Sequence, residues 1–179
     1  MKARVFVGIA GLLMAPVLVR AADPFLGTWV LDVKRSTYAT GPVPKEMTIE
    51  MKDGEHGVHY HSETVWLSGS RASADYTADY DGPPVIVMGA KGMLLQIQVR
   101  RIKPNEVSAT YTRGMHTVAA SRRVVSEDGR SMTVTTTSWD ESGSVFTNVG
   151  VYTRVEQEAR EGRRSEVGAQ ASGAGPVRR

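Results

Sequence analysis

From Gly27 to Arg154 apolar and polar residues alternate with a period of two, and turn-forming residues interrupt the alternation about every 8 to 12 positions. Successive side chains of an extended chain point to opposite faces, so such a pattern is satisfied by a sheet with one buried face and hardly at all by a helix. The interruptions are Gly41 to Pro44, Asp53-Gly54, Ser68-Gly69-Ser70, Asp81-Gly82-Pro83-Pro84, Gly89 to Gly92, Lys103-Pro104-Asn105, Arg113-Gly114, Asp128-Gly129 and Ser142-Gly143. Glycine supplies positive φ there, and proline and aspartate fix turn starts. Between them lie about ten predicted strands: 27–34, 46–52, 57–67, 71–80, 85–88, 93–101, 106–112, 115–125, 131–139 and 145–154. No amphipathic helix is legible. Connections of hairpin length pair sequence neighbours antiparallel, and closing the meander removes its exposed edges. The predicted fold is therefore all-β, a single antiparallel up-and-down β-barrel of about ten strands.

The chain has no cysteine, so it holds together by core burial alone. The alternation assigns that core. Met47, Ile49 and Met51 face inward on one strand; Ala72, Ala74, Tyr76, Ala78 and Tyr80 on another; Met93, Leu95, Ile97 and Val99 on a third; Val107, Ala109 and Tyr111 on a fourth. Arg122 is placed on one face with Val118, Ala120 and Val124.

Ahead of the barrel stand Lys2 and Arg4, an apolar run from Val5 to Val19, and small residues at Ala21 and Ala22. The run is too short to span a bilayer and has the form of a secretory signal peptide cleaved after Ala21. The expected domains are a signal peptide over 1–21, a barrel over 22–155 and a disordered tail over 156–179, where glutamate, arginine, glycine, alanine and serine dominate without an aromatic residue. The expected location is periplasmic or secreted, with no integral membrane segment after cleavage. The formal charge of +3 loses Lys2, Arg4 and Arg20 with the leader, leaving 19 basic against 19 acidic residues. Such a balance has no electrostatic footprint for nucleic acid.

The opening Gly27-Thr28-Trp29, set on the first strand of a ten-strand meander with Arg122 and Arg154 near the last strands, resembles the G-x-W signature of the calycins, the lipocalin and fatty-acid-binding-protein superfamily. The run from Arg122 to Thr135, Tyr80-Asp81-Gly82 and Val151-Tyr152 are further similar to secreted bacterial lipocalin-like proteins, over roughly Pro24 to Val155. The resemblance implies a tryptophan closing one barrel end, a late-strand basic side chain packed across it, and a ligand inside.

Chemistry in a small barrel belongs to its interior and mouth. Tyr60, Tyr76, Tyr111, Arg122 and Met132 are the expected ligand-binding residues, with Ala72, Ala74, Ala78, Ala109, Ala120 and Gly150 leaving room beside them. An inward arginine receives a carboxylate through paired hydrogen bonds. Fatty-acid-binding proteins use an Arg-x-Tyr pair near the chain end, whereas here the order is Tyr152-x-Arg154. His59, His61 and Glu63 share a strand face opposite Val58, Tyr60 and Trp66, which assigns them to solvent, and no metal or cofactor is expected. No nucleophile elbow is present. The leading expectation is an exported protein that binds a small hydrophobic or amphipathic molecule. A barrel enzyme of cyclase, isomerase or hydratase type and a structural envelope protein are the alternatives, and the sequence leaves catalysis undecided.

Overall fold

The computed structural model describes residues 22–39, 41–89, 95–140 and 142–155. The assigned leader and tail lie outside them. The strands are β1 (Gly27–Leu31), β2 (Thr37–Tyr38), β3 (Pro44–Asp53), β4 (Gly57–Trp66), β5 (Arg71–Asp79), β6 (Val85–Gly89), β7 (Leu95–Lys103), β8 (Glu106–Arg113), β9 (His116–Val125), β10 (Ser131–Trp139) and β11 (Val145–Arg154). From β3 to β11 each strand pairs antiparallel with its sequence neighbour, and β1 pairs with both β3 and β11, closing a ten-strand barrel. This is the closed antiparallel up-and-down barrel that the alternation predicts, of the lipocalin and fatty-acid-binding-protein type that the Gly27-Thr28-Trp29 resemblance implies. Among the described residues the only helical element is one 3-10 turn, Val33–Arg35, and no helix is long and apolar enough to cross a membrane.

That turn ends the first strand earlier than its pattern suggests. Asp32 Oδ1 accepts the backbone N–H groups of Lys34 and Arg35 at 3.1 and 3.2 Å, giving the backbone an alternative to the ladder. Ser36 Oγ then donates to Asp32 O at 2.7 Å and accepts from Val151 N at 3.0 Å, so a hydroxyl substitutes for a ladder carbonyl. The chain resumes as β2, which pairs only with β11, through Thr37↔Val149 and Tyr38↔Asn148. One stave of the barrel is thus built from two pieces.

The two ends differ. At the base the turns after β3, β5, β7 and β9 meet the segment 23–26, which crosses the barrel. Phe25, Trp29, Val58, Ile97, Val99, Val107, Val125 and Met132 are fully buried there. Trp29 Nε1 donates to Phe25 O at 2.9 Å. The Arg154 guanidinium lies 4.3 Å from the Trp29 ring and donates to Leu26 O and Gly129 O, each at 2.6 Å, and to Pro24 O. Of the two late-strand arginines, Arg154 is therefore the one across the tryptophan. Gly27 has φ +127°, and a Cβ on it would lie 3.1 Å from Arg154 Nη1, so both conformation and space call for glycine in this motif. Arg101 pairs with Asp23 and stacks 3.8 Å from the Tyr80 ring.

The expected inward faces of β3, β5, β7 and β8 are observed at the described residues, Met93 lying outside them, but β9 is shifted by one residue. The β8–β9 register slips between Tyr111↔Ala119 and Thr112↔Thr117, which leaves Val118 as an extra residue. Beyond that bulge Ala119, Ser121, Arg123 and Val125 face the lumen. Arg122, expected inside, points out with its side chain 59% exposed and its Nε 2.7 Å from Glu106 Oε1, and Val118, Ala120 and Val124 share its outer face.

Gly57 opens β4 where the chain passes closest to β5. A Cβ there would sit 2.0 Å from the Ala78 carbonyl oxygen, and backbone in a ladder has no rotamer with which to retreat. Gly57→Ala is expected to destabilise the barrel by about 3 kcal/mol, read as a lowered urea midpoint with an unchanged m value.

Candidate functional site

Towards the mouth the lumen opens into a cavity of about 630 Å3. The residues of β3, β4, β8, β9, β10 and β11 that alternate inward supply its walls, and β2 with the segment around Pro42 completes the rim. Met47, Ile49, Trp66, Val134 and Phe146 make the apolar part. Tyr38, Tyr60, Tyr111 and Tyr152 present ring surface tipped with a hydroxyl, and Thr64, Thr136, Ser138 and Asn148 are polar.

Arg123 stands at the inner end of this cavity and is 3% exposed. β9 carries it between Val107 of β8 and Val134 of β10, its directly paired neighbours. Its Nη1 donates to Tyr76 Oη at 2.8 Å and its Nη2 to Tyr111 Oη at 3.0 Å, and the guanidinium lies 4.9 Å from the Tyr60 ring. Tyr60 and Tyr76 are cross-strand partners whose rings stack at 4.7 Å with 13° between planes. Among the described residues Arg123 makes no ion pair. Arg101, Arg122 and Arg154 are each satisfied by a carboxylate or by several carbonyls; Arg123 has only phenols.

The electrostatics follow from that enclosure. Burial, the largest influence, works against the Arg123 charge, while the phenols of Tyr76, Tyr111 and Tyr60 and the hydrogen bond to Tyr76 favour it, and the guanidinium pKa stays above its ordinary value. Burial pushes the Tyr60 and Tyr76 phenols up, so they are neutral near neutral pH. A buried cation without an anion is costly in a medium of low dielectric. Each phenol that accepts from Arg123 keeps its own hydrogen free to donate. Tyr111 lines the cavity beside Arg123, whereas Tyr76 lies behind the lining, so the lumen presents a fixed positive charge with one adjacent hydroxyl donor, an arrangement complementary to a carboxylate or another small anionic group.

Of the five residues expected to bind ligand, Tyr60, Tyr76 and Tyr111 converge on Arg123. Met132 is fully buried in the packed base, outside the cavity lining. Arg122 is on the outer surface, and Arg123, its neighbour in sequence, occupies the position it was expected to fill. The pairing of Arg123 with the inward Val107 across the ladder identifies it, and that register is not visible in the sequence of β9 alone. Trp66 lines the cavity as its inward placement implies, whereas Tyr80 packs at the base under Arg101. His59 and His61 lie on the outer face, with His61 Nδ1 3.1 Å from Asp75 Oδ2. Among the described residues no group of three or more histidine and acidic side chains is placed to hold a metal.

The barrel is similar to the zebrafish ileal bile acid-binding protein solved with cholic acid, at a TM-score of 0.50 and 10% identity over 74% of this chain and 99% of that one. That likeness concerns the fold. No protein-family model matches the chain, and no curated protein does.

Proposed function

We propose that this chain is an exported binding protein that encloses a small amphipathic molecule bearing an anionic group, with the anion on Arg123 and the apolar body against Met47, Ile49, Trp66, Val134 and Phe146. The observation that carries the reading is a buried guanidinium with no counter-charge at the inner end of an open cavity. An incoming anion relieves the cost of that lone charge and adds a hydrogen bond from Tyr111. The signal-peptide form of residues 1–21 supports export. A fatty-acid-binding type of barrel supports a ligand held inside. Carriage is preferred to catalysis because the groups at the inner end are a permanent cation and neutral phenols, with no base near neutrality among them.

Dodecanoate and dodecanol separate the anion from the chain. Followed by quenching of tryptophan fluorescence, with Trp66 and Trp139 on the cavity wall, the acid is expected to bind at least about tenfold tighter at neutral pH. The sign of the pH dependence is fixed by the ligand. Arg123 stays charged throughout, so affinity for the acid is full above the carboxyl's own pKa and falls as pH drops below it, while the alcohol shows no such fall. Equal affinity for acid and alcohol at neutral pH would refute the assignment.

A further inference from the structure

Cross-strand register places a second chemical feature at a defined height above the first. Arg123, Val134 and Gly150 are paired across β9, β10 and β11 and form one row of the lumen wall. The next row towards the mouth is Ser121, Thr136, Asn148 and Tyr38, paired across β9, β10, β11 and β2. The first row has an aliphatic and a glycine beside its arginine; the second has a hydrogen-bonding side chain at all four positions. One pleat repeat of two residues separates them, about 7 Å along the wall.

This polar belt is incompletely satisfied by the protein. Ser121 Oγ is buried without a hydrogen-bond partner. Asn148 Oδ1 accepts from Ala39 N at 2.9 Å, which leaves its amide hydrogens for the lumen. Thr136 lines the cavity, and its hydroxyl makes no hydrogen bond among the described residues. Ser121 lies behind the cavity lining, but a plain alkyl chain running from Arg123 to the mouth would strip water from Thr136 and Asn148 and return no hydrogen bond, which is the costly case for a polar group.

We infer that the natural ligand of this cavity carries a hydroxyl or carbonyl group besides its anionic group, and is a hydroxylated or oxo acid rather than a plain alkyl acid. The inference rests on the reading of Arg123 as the anion's anchor and adds the ligand class. Arg123 holds the anionic end, and Thr136 and Asn148 on the cavity wall receive the second polar group.

Isothermal titration calorimetry of the purified protein with three probes tests this. They are dodecanoate, an analogue hydroxylated in the middle of the chain, and a terminally hydroxylated analogue. The mid-chain hydroxy acid is expected to bind at least about fivefold tighter than dodecanoate, and the terminal one no tighter. Thr136→Val, nearly isosteric, is expected to diminish the ratio of the two affinities, the hydroxy acid losing its advantage over dodecanoate, and circular dichroism checks that the variant is folded. Equal or weaker binding of the mid-chain hydroxy acid, with dodecanoate bound, overturns this inference alone. Failure of all three acids to bind overturns the proposed function with it.

Discussion

Replacing Trp29 with alanine is expected to lower the unfolding free energy by about 4 kcal/mol, measured by urea unfolding with a far-ultraviolet circular dichroism readout. The side chain is 0% exposed and is the largest fully buried one in the base. Its removal leaves a cavity whose walls are ladder backbone and cannot collapse. Two further interactions go with it: the hydrogen bond from Nε1 to Phe25 O, and the stack of Arg154, whose guanidinium then lies over an empty space. A small single domain has only about 5 to 15 kcal/mol to lose, so the variant should be largely unfolded at mild urea concentrations. Trp29→Phe separates the contributions, since it keeps most of the volume and a ring for Arg154 but loses the N–H, and should cost about 1 to 2 kcal/mol. A loss below about 1 kcal/mol for the alanine variant would mean that the base is not the main core.

Arg123→Met is expected to do the reverse, abolishing function with little effect on folding. A methionine of similar length removes a cation that no carboxylate balances. Tyr76 and Tyr111 lose a donor partner, and this offsets the relief of burying one charge fewer, so stability should change by no more than about 1 kcal/mol and may be measured in the same urea experiment. Affinity for dodecanoate should fall at least about fiftyfold, because the cation on the cavity wall is gone while the apolar wall is intact. Affinity for dodecanol should hold or improve. Arg122→Ala is the matched control: one residue away on the outer face, it should leave binding of both ligands as in the parent protein. Loss of acid binding in the Arg122 variant with retention in the Arg123 variant would reverse the assignment of the two residues.

Much of the barrel was legible because its strands carry unambiguous alternation and hairpin turns. β3 reads Met47, Ile49, Met51 against Thr48, Glu50, Lys52, so only one phase buries the apolar face. β2 was hidden because two residues carry no periodicity, and its place depends on Ser36 and Asp32 hydrogen bonds that redirect the chain. The site was half legible. Tyr60, Tyr76 and Tyr111 sit on strands with clear phase, and all three gather at one point. β9 misled for a particular reason: Ala119-Ala120, Arg122-Arg123 and Val124-Val125 are doublets, and a pattern of doublets reads equally well in either phase.

The sequence by itself determined the all-β class, the number of full-length strands in the barrel, the turns between them and the tryptophan at its first strand, since period, turn chemistry and glycine placement are local properties of the chain. Which arginine lies inside was decided only in the tertiary structure. A bulge at Val118 resets the parity of β9, and the inward neighbours Val107 and Val134 on the flanking strands then fix Arg123 towards the lumen. The height of the polar belt above it was decided in the same way. Register between strands is a relation among distant segments, set by which pairing buries the most apolar surface, and no single strand contains it.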